Sequence, residues 1–220
     1  MKSLCLHLLT PLLLTVACIA QETPDWELYG GFQFTHYHTA QLQEVVNSLV
    51  AETGPAGLRI NSRPNMIGWN FSAQQNVNSW FGGIVDFSGG YGSKNVTLPQ
   101  APGTRIAPTF KPTIFTMGGG PQFSYRRNEH IQPFFRMICA AAYANLNPDR
   151  TTTSQLNSMY PPPSTSETAF ALIFGGGVDY RLTNDTSLRV AGDYLHTFVF
   201  NESESNFRIT AGITFRIGSR

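Results

Sequence analysis

The sequence predicts an all-β protein, an eight-stranded antiparallel up-and-down transmembrane β-barrel with long external loops. Three observations support this prediction. Eight segments alternate apolar and polar residues, which is typical of strands that have two chemically different faces. The connections between these segments alternate between short and long. The N-terminus has the features of an export signal. Together they indicate a chain that is exported and folds as a barrel in a membrane.

The N-terminus predicts a secretory signal peptide over residues 1–20, followed by one barrel domain over residues 21–220. Met1 is followed by a lysine and an apolar stretch, and Ala20 is a small residue at the expected cleavage point. The stretch is too short and too interrupted to predict a membrane-spanning helix. Cys18 leaves a second interpretation open, in which the chain is a lipoprotein modified at that cysteine.

The composition narrows the class of protein. Charged residues make up 13% of the chain, about half the share found in soluble proteins, yet the mean hydropathy of −0.14 argues against a bundle of membrane helices. A formal charge of +1 argues against a nucleic-acid binder, which carries a concentrated basic excess. Without the signal, Cys139 would stand alone, so we expect neither an intramolecular disulfide nor a cysteine-based zinc site.

The first four predicted strands each have one apolar and one polar face. They cover residues 26–35, 65–73, 79–91 and 110–125. Their apolar faces hold Trp26, Leu28, Phe32 and Phe34, then Ile67, Trp69 and Phe71, then Phe81, Val85, Phe87 and Tyr91, and finally Phe115, Met117, Phe123 and Tyr125. In a transmembrane barrel such a face contacts lipid, whereas the polar face lines the lumen.

The last four predicted strands repeat the pattern with more charge on the polar face. They cover residues 132–143, 169–182, 187–198 and 206–217. In the final run, Phe207, Ile209, Ala211, Ile213, Phe215 and Ile217 share one face, and Arg208, Thr210, Gly212, Thr214 and Arg216 share the other. Taken alone, this run also fits a soluble lipocalin-like barrel with the apolar face inward. The seven other alternating segments, and the alternation of short and long connections between them, favour the membrane barrel.

The connections predict which end of the barrel faces outward. Short ones lie near 75–78, 127–130 and 183–185, and longer ones lie at 36–63, 92–108, 144–167 and 199–205. Outer-membrane barrels have short periplasmic turns and long external loops, so both termini are predicted to be periplasmic. Apolar residues at helical spacing over 42–50 also predict an amphipathic helix. It would either pack on the barrel rim or form an exposed docking surface.

A set of charged residues is predicted to face the lumen, where it forms a structural or gating network. These residues are Glu27, Asp86, Arg136, Asp179, Arg181, Arg189, Asp193, Arg208 and Arg216. The interior of an eight-stranded barrel is just wide enough for side chains to fill it, and buried charges need partners. We therefore expect a salt-bridged plug that closes the lumen, and keep a narrow or gated ion path as the alternative.

The remaining polar residues give no prediction of an active site, a cofactor or a metal. His36 and His38 could share a face, but two ligands without a third are weak evidence for a metal ion. A barrel enzyme that acts on lipid would need a Ser–His–acid set, and the His-x-Ser-Asn stretch of lipid A deacylases is absent. His196 is predicted to lie on the outer face near the rim. We therefore expect a protein that is not an enzyme.

Several segments resemble the OmpA-like eight-stranded barrels of Gram-negative bacteria, also called porin-like or opacity-type proteins. They are GWNFSA (68–73), WFGGIVDFSGGYG (80–92), IQPFF (131–135), GGGVDYRLT (175–183), SLRVAGDYLHTF (187–198) and NFRITAGITFRIG (206–218). The resemblance spans residues 26–218 and is strongest from Gly175 onward. One departure is that many such barrels end on an aromatic residue, whereas here Phe215 is followed by Arg216-Ile217-Gly218-Ser219-Arg220.

The resemblance implies location in the bacterial outer membrane after export. It implies contact with outer-membrane lipid and lipopolysaccharide, insertion by the barrel-insertion machinery, and loops open to an unknown extracellular ligand. Members of the family are adhesins, structural anchors or narrow channels, so no single activity follows. We expect a structural or adhesin-like role with a closed lumen. A small porin-like channel is the alternative, and a lipid-modifying enzyme or soluble binder is less favoured.

Overall fold

The computed structural model describes residues 23–36, 65–95, 109–157, 165–198 and 204–218. Over these ranges the chain forms β-strands and one short helix. They are β1 (Trp26–His36), β2 (Asn65–Asn76), β3 (Phe81–Gly92), β4 (Lys94–Asn95), β5 (Thr109–Phe110), β6 (Thr113–Ser124), β7 (Ile131–Asn145), α1 (Arg150–Asn157), β8 (Ser166–Arg181), β9 (Thr186–Thr197) and β10 (Glu204–Ile217). The predicted signal peptide, Cys18, His38 and the predicted helix at 42–50 lie outside the described residues.

Eight of the strands close into one antiparallel barrel. The order around it is β1-β10-β9-β8-β7-β6-β3-β2, with β1 also pairing with β2. Consecutive long strands are therefore neighbours, and the first and last strands meet. This confirms the predicted eight-stranded up-and-down barrel, a topology that leaves no sheet edge unpaired.

The predicted strand at 110–125 is divided in two in the structure. A two-residue ladder of β4 and β5 stands apart from the barrel sheet, and β6 begins only at Thr113. Pro112 lies between β5 and β6. Proline has no N–H to donate to a strand ladder, which accounts for a break at this position.

Tight turns join strands at one end of the barrel, which we call the turn end, and the opposite end is the loop end. In the turn between β2 and β3, the side chain of Asn78 accepts hydrogen bonds from the N–H groups of Trp80 and Phe81 at 3.0 and 2.8 Å. Asn128 makes the same pair of contacts in the turn between β6 and β7. Such side-chain capping is why asparagine favours turns. The first residue of β1, Trp26, and the last residue of β10, Ile217, pair at the turn end.

The barrel is polar inside and apolar outside, which is the reverse of a soluble protein. Glu27, Asp86 and Arg208 are almost wholly buried, whereas Phe32 is 80% exposed. Large apolar side chains are exposed on every barrel strand, so the predicted direction of the alternation is confirmed. In the described part of the chain, no helix is long and apolar enough to span a membrane.

Candidate functional site

The lumen holds two groups of buried charges, and the first lies near the middle of the barrel. This central cluster consists of Asp86, Arg136, Asp193 and Arg208, whose side chains are at most 1% exposed. Arg136 donates from Nε and Nη2 to the two carboxylate oxygens of Asp193, at 3.0 and 2.7 Å. Such a two-bond contact is the strongest geometry for a guanidinium and a carboxylate.

Arg208 joins the two carboxylates of the central cluster. Its Nε donates to Asp193 at 2.8 Å and its Nη1 donates to Asp86 at 3.1 Å. Asp86 also accepts from the side-chain amide of Asn70 at 2.9 Å. Two acids therefore face two arginines, and the cluster as a whole is neutral.

Strand register brings the central cluster together. Arg136 faces Gly175 across β7 and β8, Gly175 faces Asp193 across β8 and β9, and Asp193 faces Arg208 across β9 and β10. A Cβ atom at Gly175 would collide with the carboxylate of Asp193. The glycine therefore provides the space through which Arg136 reaches Asp193.

The second group, the turn-end cluster, consists of Glu27, Arg126, Asp179 and Arg189. Arg189 contacts both oxygens of Asp179, at 2.6 and 2.7 Å, and donates to Glu27 at 3.0 Å. Arg126 donates to the other oxygen of Glu27 at 2.5 Å. The guanidinium of Arg189 also lies 4.6 Å from the ring centre of Phe134, a cation–π contact that is strengthened where water is excluded. This cluster also contains two acids and two arginines.

Two arginines that the sequence places in the network lie outside these ion pairs. Arg181 lies at the turn-end rim and is only half-buried, with Nε 3.3 Å from the carbonyl of Thr183. Arg216 is buried, and its Nη2 donates to the side chain of Gln132 at 2.8 Å. Neither forms an ion pair with another described residue. Near the rim a long side chain can reach water, so alternation alone does not fix its partners.

Arg126 is the network residue that the sequence analysis missed. It lies two residues after the end of β6 at Ser124 and precedes the segment predicted as a turn. A signal was present, because Gln122 and Ser124 face the lumen and Arg126 continues their period of two. Extending the predicted strand face by one residue would have found it.

An apolar layer lies next to the central cluster, on its loop side. Ile138 faces Ile173, and Ile173 faces Leu195. All three side chains are 2% exposed or less. They belong to a buried apolar cluster that also contains Met66, Ile84, Ile114, Ala140, Ala142 and Ala171. The alternation predicts a lumen lined by polar residues. The structure shows instead that one layer of the lumen is apolar.

The histidines of the described residues lie away from this network. The ring of His36 contacts the side chain of Asn65 at 2.9 Å. His196 is on the outer face, where its ring packs edge-on against Phe198 at 4.7 Å and its Nδ1 lies 3.4 Å from Ser205 Oγ. Over the described ranges, no group of three or more His, Cys, Asp or Glu side chains could hold a metal ion.

Comparisons with known proteins agree with this architecture. The family described as "Outer membrane protein beta-barrel domain" matches residues 8–217. Among solved structures, Neisserial surface protein A is similar with a TM-score of 0.57 and 12% identity, covering 90% of this chain and 99% of that one. The outer membrane protein OprG from Pseudomonas aeruginosa is similar with a TM-score of 0.51 and 9% identity, covering 90% of this chain and 98% of that one. No curated protein sequence matches significantly.

Proposed function

Because the chain belongs to the outer membrane protein β-barrel domain family, we propose that it is a barrel with a closed lumen. The external loops of this barrel present a surface for interaction. The barrel anchors the chain in the outer membrane, the lumen does not conduct, and the role is structural or adhesin-like and not catalytic. Residues 1–20 act as the export signal and are removed. The observation that carries the proposal is the filled lumen, in which paired charges lie beside an apolar layer.

The ionic network supports a closed lumen. Arg136, Arg189 and Arg208 are among the largest fully buried side chains, and each is fixed by at least two contacts to carboxylates. An ion that entered would have to replace these contacts, and breaking a buried pair leaves an uncompensated charge.

The apolar layer supports the same conclusion by a different physical route. Ile138, Ile173 and Leu195 offer no oxygen or nitrogen atoms from their side chains to a passing ion. An ion that loses water without gaining polar contacts faces a large desolvation penalty. The layer and the network therefore act in series along the lumen.

The loop end supports a role in surface interaction. The segments around β5 and α1 are joined there, because the N–H of Lys111 donates to the carbonyl of Leu146 at 3.0 Å and that of Asp149 donates to the carbonyl of Thr109 at 3.1 Å. The carboxylate of Asp149 caps α1 by accepting from Thr152 N–H at 2.9 Å. Hydrogen bonds from the side chain and then the backbone N–H of Thr152 lower the pKa of Asp149. These joined segments form a platform at the loop end, and loops on a rigid scaffold commonly carry function.

Conductance in planar lipid bilayers tests the closed lumen. We expect no steady current from the refolded wild-type protein. A porin of known conductance, measured in the same bilayers, shows whether the assay would detect a leak. Steady conductance of the wild type would contradict the proposal and favour the small porin-like channel instead.

A further inference from the structure

A polar cavity lies at the turn end of the barrel, next to the turn-end cluster. Its volume is about 450 Å³. Three arginines line it, Arg126, Arg181 and Arg216, together with Gln132 and Asp185. The cavity is within the size range of sites that bind small molecules.

Among the described residues that line this cavity, arginines outnumber carboxylates three to one. The central and turn-end clusters each pair two acids with two arginines, and Arg126 is already bonded to Glu27. Arg181 and Arg216 are then left as positive charges at the cavity wall. Asp185 is the carboxylate among the described lining residues, so the wall keeps a positive excess.

Arg216 differs from the other two arginines because it is buried without an ion pair to a described residue. It is 91% buried, since its relative exposure is 9%, and its one hydrogen bond from Nη2 goes to the neutral side chain of Gln132. Its Nε is buried without a hydrogen-bond partner in the described part of the chain. Glu27 and Asp179 act on this guanidinium only from a distance, and no described carboxylate forms an ion pair with it. A buried guanidinium without a direct ion pair is costly, and an anion in the cavity would reduce that cost.

Arg181 offers a second set of donors at the same wall. Its two contacts, to the carbonyls of Thr183 and Asn184, are long at 3.3 and 3.5 Å. A guanidinium has five N–H donors in a planar fork, so most of those of Arg181 are available to a ligand. Arginine forks match the oxygen pairs of carboxylates and phosphates.

We propose that this turn-end cavity binds an oxyanion, a carboxylate or phosphate group of a periplasmic molecule, through Arg216 and Arg181. The group lies between the two guanidiniums and away from Asp185, which would repel it. The volume leaves room for a larger molecule that carries the group. This binding site is separate from the external surface and does not depend on whether the lumen conducts.

Calorimetric titration of the full chain, refolded in detergent, tests the site with inorganic pyrophosphate and succinate as probes. We expect saturable binding of one or both probes. Arg181→Gln and Arg216→Gln should each weaken it about tenfold, because each removes charge-assisted hydrogen bonds. Binding of pyrophosphate alone identifies phosphate as the ligand group, binding of succinate alone identifies carboxylate, and binding of both identifies oxyanions in general.

Arg127→Gln is the matched control, since Arg127 is an exposed arginine at the same end that does not line the cavity. It should leave the affinity unchanged, and Arg181→Lys should retain part of it. Migration on detergent gels without boiling establishes that each variant is folded. The proposal is wrong if wild type binds neither probe saturably, or if Arg127→Gln weakens binding as much as Arg181→Gln does.

Discussion

Gly175 directly faces Asp193 across the β8–β9 pair, and the space that a side chain would occupy at Gly175 holds the Asp193 carboxylate. The carboxylate is fixed there by Arg136 on β7, two strands away, and by Arg208 on β10, the neighbouring strand on the other side. One missing side chain therefore allows an ion pair to form across three strands.

Gly175→Ala should destabilise the barrel by about 1–3 kcal/mol, the usual effect of overpacking a filled interior. The new methyl group would displace Asp193 from Arg136 and also approach the carbonyl of Gly192. The free energy of unfolding in urea, measured in lipid vesicles, checks this. Gly83→Ala is the control, since a Cβ there meets open space, and a similar loss in both variants would contradict the prediction.

Asp193→Asn should cost about 3–5 kcal/mol, the typical effect of breaking a buried ion pair. It removes the charge that both Arg136 and Arg208 contact. The exposed Glu129→Gln is the control for loss of one acid. In a double-mutant cycle, Asp193→Asn with Arg208→Gln should be less destabilising than the two single changes added together. Strict additivity would show that the two side chains do not interact.

The loop end should be outside the cell and the turn end inside the periplasm. Ser154→Cys in α1 and Glu129→Cys in a turn are both exposed positions, and each is made in a Cys139→Ala background. A membrane-impermeant maleimide should label Ser154→Cys on intact cells, and should label Glu129→Cys only after lysis. Labelling in the opposite order would reverse the orientation.

A charge on the middle of the outer face should destabilise the barrel more than a charge at its rim. Met137→Lys places an ammonium among exposed apolar side chains near the centre of β7. Such a substitution costs about 2–4 kcal/mol at the bilayer midplane and about 0–1 kcal/mol near the interface. Leu182→Lys, in a turn, is the interfacial control. Unfolding in vesicles measures both, and equal effects would argue against a lipid-facing surface.

The sequence predicts the strands and their faces because lipid and lumen impose opposite chemistry on alternate residues. It does not predict which charges pair. The contact between Arg136 and Asp193 joins residues 57 positions apart and depends on the register of β7, β8 and β9 together. Likewise, Ile138 falls on the same face of β7 as Arg136, so the alternation places it in the lumen, but its contacts with the neighbouring strands depend on the register.

The alternation also does not predict the burial or the partners of residues at strand ends. Arg126 and Arg181 both continue the lumen-facing period, yet one is buried against Glu27 and the other reaches the rim. Whether such a residue is buried or reaches the rim depends on the tilt of the strands and the path of the turns. The alternation of apolar and polar residues contains no information about either. The turn-end cavity is formed by these end residues, so no sequence pattern indicates it.

The central claim is that the apolar faces contact lipid while the charges lie inside, and Cys139 tests it most directly. Cys139 is exposed on the outer face of β7, and it would be the sole cysteine after the proposed removal of residues 1–20. A fluorescent dye attached there, in vesicles, should be quenched by lipids brominated along their acyl chains and protected from aqueous iodide. The same dye at Glu129→Cys, in a Cys139→Ala background, should show the reverse. Quenching of the Cys139 dye by iodide, with no effect of brominated lipid, would contradict the account.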